Sequence, residues 1–190
     1  MPIFYRGAGV GTYWHVNDPR NAGFSPHLPK SLPSRARLMN HVARGTVTSP
    51  FVSLTRSFGV ALDYARQGPL PPSSETPAYV WEVEIPEKVP PGIKVIDPVK
   101  EVARFLPGPL ASAHYAHDGP QSFLLAVIDP ATFPDANLAV PLPPGGSGPA
   151  KAANLSLELQ TLVSALRDSE ILVCGTIPKE WIVMRYEFIA

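Results

Sequence analysis

A single cysteine, Cys174, in 190 residues leaves no partner for an intramolecular disulfide and no set of thiolates for a metal cluster. It sits in the apolar run Ile171-Leu172-Val173-Cys174, where a small hydrophobe in a strand is expected. Charge of one sign is missing too. Lys+Arg 16 against Asp+Glu 16 gives a net charge of zero, whereas a general electrostatic binder of nucleic acid is basic. A catalytic encounter with nucleic acid needs less charge and stays open. No apolar run approaches the ~20 residues that cross a bilayer, so no membrane insertion is expected. The segment Met1-Pro2-Ile3-Phe4-Tyr5-Arg6 lacks the basic region and apolar stretch of a signal peptide. The expectation is a soluble protein, cytoplasmic where it is made; delivery into a target cell by a secretion system would leave no mark here. Also absent are internal repeats, heptads and a dinucleotide-binding turn: Gly7-Ala8-Gly9-Val10-Gly11 is not G-x-G-x-x-G, and no helix clearly follows it. His114-x-x-His117 is flanked by Pro107, Pro109 and Gly119 and has no evident third ligand, so no metal is expected.

What the chain does have is apolar content, 45 %, and proline, 24 residues. The first is enough for a core, and the length suits a single domain over 1–190. The prolines cluster between segments, at Gly68-Pro69-Leu70-Pro71-Pro72, Pro90-Pro91-Gly92 and Leu142-Pro143-Pro144-Gly145-Gly146, and mark rigid turns. Between them lie a short strand Ile3–Arg6 ended by glycine, and an irregular stretch at 17–33. A helix capped by Ser34 and closed by Gly45 follows. A strand Pro50–Thr55 then runs into a helix near 57–66, with Phe58, Ala61, Leu62 and Ala65 on one face. Strands are expected at Ala78–Ile85, Ile93–Ile96 and Phe123–Ile128, a flexible Pro/Gly loop at 143–151, a helix from Leu155 to Leu166, and closing strands Glu170–Cys174 and Trp181–Phe188. Roughly six or seven short strands and two or three helices, not strictly alternating, argue α+β.

Three fragments carry chemistry: Phe4-Tyr5-Arg6-Gly7, Ser49-Pro50-Phe51-Val52-Ser53-Leu54-Thr55, and Asp168-Ser169-Glu170 leading through Ile171–Cys174 into Gly175-Thr176-Ile177-Pro178. Their order and spacing resemble the mono-ADP-ribosyltransferases of the cholera-toxin-like, arginine–serine–glutamate group. There a first strand carries the arginine, a Ser-Thr-Ser strand precedes a helix, and Glu-x-Glu or Gln-x-Glu enters an apolar strand ending in a Gly-Gly-Ile-Pro-type turn. The likeness touches both ends and the middle of the chain; the loops between are not recognisable. It implies an ADP-ribosyltransferase-like fold of two small packed, mostly antiparallel sheets flanked by short helices. It implies a toxin or effector of bacterial type, NAD as a consumed substrate, no metal, a macromolecular acceptor, and an immunity or antitoxin protein as partner.

By position, Arg6, Ser53 and Glu170 are the implied catalytic residues, with Gly7 and Thr55 beside them in the NAD site. Phe58 is a candidate wall for the nicotinamide, against the alternative that it packs in the core. Asp168 takes the place of the acceptor-directed residue. Leu54 replaces the central threonine, tolerable because alternate strand residues face opposite ways. The chemistry suits these types. Departure of nicotinamide leaves an oxocarbenium-like ribose that a fixed carboxylate stabilises, Arg6 offers a permanent forked cation to the diphosphate or ribose, and Ser53 can fix the rotamer of Glu170. If 168–170 is extended, Asp168 and Glu170 share one face and one pocket. Protein arginine is the first acceptor to consider, since an acid at 168 could orient a guanidinium, and a nucleic-acid base is the second. The alternatives are NAD hydrolysis to water and a binding module of the same fold without turnover.

Overall fold

The computed structural model describes residues 1–45, 47–103, 113–118, 121–127 and 157–189. The helices and strands within them make an α+β fold. β1 (Ile3–Ala8) is followed by two single-turn helices, α1 (Tyr13–Val16) and α2 (Pro19–Ala22), inside or beside the stretch read as irregular. α2 had a legible signal: Pro19 is its first residue and the Asp18 carboxylate accepts from the Arg20 N–H. α3 (Arg35–Arg44) starts where Ser34 Oγ accepts from the Arg37 N–H, and ends at Gly45 in the left-handed conformation, φ 60°. Then come β2 (Phe51–Thr55), α4 (Phe58–Arg66), β3 (Ala78–Glu84) and β4 (Lys94–Ile96).

After β4, Asp97-Pro98 opens a helix, α5 (Pro98–Ala103), beyond the elements expected from the sequence. Asp97 Oδ1 accepts from the N–H groups of Val99 and Lys100 at 3.1 and 3.3 Å. β5 (Ala113–Asp118), also not expected, pairs among the described residues with β6 (Gln121–Val127) alone. α6 (Leu157–Arg167), β7 (Glu170–Cys174), a 3-10 turn at Lys179–Trp181 and β8 (Ile182–Phe188) complete the described chain. The 143–151 loop and Ile128, the last residue of the strand expected at Phe123–Ile128, lie outside the described residues. His114 and His117 fall in β5, whose side chains lie outside them too.

The expected pair of packed sheets takes a different form. Six strands make one antiparallel sheet, ordered β4-β7-β2-β1-β3-β8, and β5–β6 is a separate ladder. The six-stranded sheet nevertheless has a seam. β2 matches β7 at five positions and β1 matches β3 at six, while β1 and β2 meet at the single pair Tyr5↔Thr55. β1 also outruns its glycines: Gly7 and Ala8 stay in the ladder opposite Val80 and Tyr79.

Strand alternation sorts the side chains. Phe4, Ala8, Val52, Leu54, Trp81, Val83, Ile171 and Val173 pack with Phe24 and Ile177 in one core. On the other face, Phe51 and Leu172 pack with Leu38, Met39 and Leu162 from α3 and α6, and Val80 and Ala78 pack with Ala61 and Ala65 from α4. Gly7 is required by that last contact. A Cβ there would lie 2.0 Å from the Ala61 carbonyl oxygen and 2.8 Å from the Ala65 nitrogen, so only glycine lets α4 press directly on β1.

Candidate active site

Where the ladder between β1 and β2 stops, a cleft of about 640 Å³ opens, lined by residues of both strands and of α3, α4 and α6. Arg6 shares the side of β1 that carries Phe4 and Ala8, and its guanidinium enters the gap between the strands. Nη1 donates to the backbone carbonyl of Ser53, and Cζ lies 5.9 Å from the Phe24 ring centroid. A side chain thus meets the carbonyl that a continuing ladder would have engaged. Among the described residues Arg6 Nε has no hydrogen-bond partner, although it is buried. Burial lowers the Arg6 pKa to about 10, an effect the charge of Glu170 partly offsets.

Ser53 and Thr55 occupy the helix-covered face of β2, and Leu54 is buried in the opposite core. Glu170, only 9 % exposed, stands opposite Thr55 on β7 and so shares that face. Burial pushes its carboxyl above the ordinary range, against a hydrogen bond from Ser53, with the nearby Asp168 charge adding to the rise and Arg6 opposing it. Thr55 supports the strand end. Its hydroxyl donates to the Asp168 carbonyl at 2.5 Å and accepts from the Ser57 N–H at 3.0 Å, where α4 begins.

His41, which is not among the site residues expected from the sequence, completes the floor of the cleft. Its Nε2 is 2.7 Å from Ser53 Oγ and its Nδ1 is 2.7 Å from Ser49 Oγ; Ser49 Oγ in turn accepts from the Phe51 N–H. With Glu170 ionised, and therefore an acceptor only, and with the His41 imidazole neutral, the directions follow one after another. Ser53 donates to Glu170, His41 Nε2–H donates to Ser53, and Ser49 donates to His41 Nδ1. A chain from the backbone through Ser49 and His41 thus fixes the Ser53 hydroxyl, which stands beside the Glu170 carboxylate. The available signal was modest: His41 lies three residues after Leu38, beside the apolar stripe of α3 rather than on its solvent side.

Asp168 does line the cleft with Glu170, but not for the reason expected. The segment is not extended. Asp168 N–H still bonds to the Ser164 carbonyl, Ser169 N–H bonds to that of Leu166, and Ser169 has φ 47°, a left-handed turn that costs a non-glycine residue about 1–2 kcal/mol. The Asp168 carboxylate faces Arg167 and Tyr64: Arg167 Nε and Nη2 donate to its two oxygens at 2.7 Å each, and Tyr64 Oη donates to Oδ2 at 2.7 Å. Burial raises its pKa, but these hydrogen bonds and the Arg167 charge outweigh it and hold the carboxyl below the ordinary range.

Phe58 is not brought to the cleft. Its ring makes edge contacts with Tyr5 and Tyr186, at 5.3 and 5.2 Å, and with Phe188 at 5.9 Å, on the core side of α4. Gly7 lines the cleft, but the space its missing side chain leaves is taken by the α4 backbone. Cys174 is half-buried beside the Phe51–Leu172 core, as a strand hydrophobe would be. Among the described residues no helix is long and apolar enough to cross a membrane, and no three His, Cys, Asp or Glu side chains are grouped to hold a metal ion. Compared with protein-family models, with curated proteins and with solved structures, the chain matches none.

Proposed function

We propose that this chain binds NAD, cleaves the nicotinamide–ribose bond and transfers ADP-ribose to a macromolecular acceptor. The observation that carries the reading is the meeting of Arg6, Ser53 and Glu170 in one cleft, from three strands far apart in sequence. Its volume lies within the range of small-molecule and cofactor sites. In this reading Arg6 holds the diphosphate or ribose edge, and its unpartnered Nε is a donor still to be satisfied. Glu170, fixed by Ser53 and His41, stabilises the positive charge that develops on the ribose as nicotinamide leaves. Thr55 holds the turn that presents Glu170.

The seam at Tyr5↔Thr55 supports an ADP-ribosyltransferase-like layout, two three-stranded halves parting around a nucleotide. On the same reading the protein is a bacterial toxin or effector, delivered by a secretion system and restrained by an immunity or antitoxin protein, with no metal in its reaction. The test is incubation with NAD labelled in the adenylate, with and without lysate. Label on protein or nucleic acid supports transfer, free ADP-ribose alone reduces the reading to hydrolysis, and no nicotinamide release leaves a binding module.

A further inference from the structure

The rim of the cleft holds a guanidinium already. Arg167 addresses Asp168 with a fork, Nε to one oxygen and Nη2 to the other, and Tyr64 Oη takes a further acceptor site. The side chain of Asp168 is 16 % exposed while that of Arg167 is 66 % exposed, so the carboxylate is set in the wall and the arginine covers it from the solvent side. On the transferase reading given above, Asp168 is the position that would receive the acceptor. We infer that Arg167 is a specificity-determining residue: its guanidinium occupies the seat at Asp168, and the acceptor that reaches the ribose is a neutral nucleophile, not a cationic guanidinium.

The argument is a competition between like groups for one carboxylate. The ion pair is a weak one, open to solvent on the Arg167 side, but a second guanidinium gains no more from the same seat. The occupant is the adjacent residue, so it competes at an effective concentration of order millimolar or above, which an acceptor at micromolar concentration does not match. An incoming cation would also meet the Arg167 charge, since Asp168 and Arg167 together leave that part of the rim neutral. Asp63, in the adjoining hollow of about 410 Å³, is exposed and accepts from Gln67 Nε2 at 2.8 Å, so its attraction is screened by water.

The chemistry points the same way. In the transfer the C1′–nitrogen bond to nicotinamide breaks with its electron pair passing to the pyridinium nitrogen, which leaves neutral. The acceptor's lone pair forms the new bond to C1′, and its proton passes to the Glu170 carboxylate and on to water. A guanidinium has no lone pair to give until it loses a proton, which it does not do unaided near neutral pH. Glu170 lies at the ribose, and the carboxylate that would draw a proton from a guanidinium at the rim, Asp168, already holds Arg167. Of the two acceptors considered, the nucleic-acid base is the one that arrives neutral.

Agmatine, a small guanidine, tests this in two ways that do not depend on each other. Calorimetry should find that Arg167→Ala binds agmatine up to about fivefold more tightly than wild type, that Arg167→Gln does the same, and that adding Asp168→Asn to Arg167→Ala removes the gain. With NAD present, the yield of ADP-ribosylagmatine should be at the level of background in wild type and rise at least about tenfold in Arg167→Ala. Equal binding and equal agmatine modification in wild type and both Arg167 variants would overturn the inference. Absence of nicotinamide release from wild type in any condition would instead overturn the transferase reading, and the calorimetry would still decide whether Arg167 closes the seat.

Discussion

The floor and the rim of the cleft each hold an arginine and a carboxylic acid, and the two pairs are shifted in opposite directions although burial acts on both alike. At the floor, desolvation dominates: it lowers the Arg6 pKa to about 10 and raises Glu170 above the ordinary carboxylate range. At the rim, hydrogen bonds win. Asp168 is held below its ordinary range against a burial effect that would raise it, while Arg167 is raised, chiefly by its hydrogen bond to Asp168. The acids are two residues apart, on either side of the left-handed Ser169. Floor charges are thus destabilised when alone, ready to be neutralised by a charged ligand, whereas rim charges already neutralise each other. A pocket for an anionic diphosphate and a cationic ribose transition state needs the first state; a rim that a neutral acceptor crosses is served by the second.

Glu170→Gln should break the comparison most completely. The amide keeps the shape and the Ser53 contact but not the charge, and loss of one preorganised electrostatic contact costs about 10²–10³ in rate. Nicotinamide release under saturating NAD measures it; retention of more than half the wild-type rate would remove Glu170 from the chemistry. Stability should move the other way. A carboxyl with a raised folded-state pKa contributes stability below its unfolded value and loses it as pH rises through the folded value. The glutamine variant should therefore match wild type in mildly acidic buffer and exceed its Tm increasingly as pH rises to neutral.

Arg6→Lys should come next. A lysine retains one charge but not the fork that can satisfy the Ser53 carbonyl and a ligand together. In the same dry place an ammonium sheds its proton far more readily than a guanidinium. NAD affinity should fall about tenfold at pH 7 and weaken further by pH 9, while wild type stays flat across that range. Parallel affinity–pH curves for the two proteins, measured by calorimetry, would place Arg6 outside the ligand site.

A smaller effect separates positioning from packing. His41→Ala removes the donor that fixes Ser53, and Ser53 lowers the Glu170 pKa. The rate should drop about tenfold, and the acid limb of the pH–rate profile should move to higher pH. His41→Gln, which presents an amide N–H at a similar reach, should recover the limb. A uniform loss of rate with no movement of the limb would mean that His41 only fills space.

The floor was largely legible in the sequence and the rim was not, for a physical reason. Arg6, Ser53, Thr55 and Glu170 lie on strands whose period of two, with the register Thr55↔Glu170, places them on predictable faces. The caps of α3 at Ser34 and Gly45 were legible because they are local. The His41–Ser53 contact depends on how α3 crosses the sheet, and Tyr64 reaches Asp168 across 104 positions of sequence. Neither carries a periodic signal. The parity argument for Asp168 and Glu170 failed because Ser169 adopts φ 47°, which breaks the alternation that makes strand faces readable. The β1–β2 seam is likewise a matter of where a ladder stops, and hydrophobic pattern does not encode that.

Asp168→Asn should have the smallest effect on NAD cleavage and sharpen the contrast through pH. The amide cannot hold Arg167 as an ion pair, yet Glu170, Ser53 and His41 keep their arrangement, so hydrolysis to free ADP-ribose should stay within about threefold of wild type. The stability effect has a defined sign. Asp168 has a lowered folded-state pKa, so its contribution is fully present above the ordinary aspartate value near 3.9 and is lost as pH falls through the lower folded value. Wild type should therefore exceed Asp168→Asn in Tm at pH 7, with the gap closing as the buffer is taken below about pH 4. This slope is opposite to that of Glu170→Gln, whose advantage grows as pH rises. Thermal scans of both variants and wild type from pH 3 to 8 give the two slopes in one experiment. If both differences run in the same direction with pH, floor and rim are not electrostatically distinct. If Asp168→Asn abolishes cleavage with the fold intact, the rim carboxylate belongs to the chemistry and the division of roles between the two acids fails.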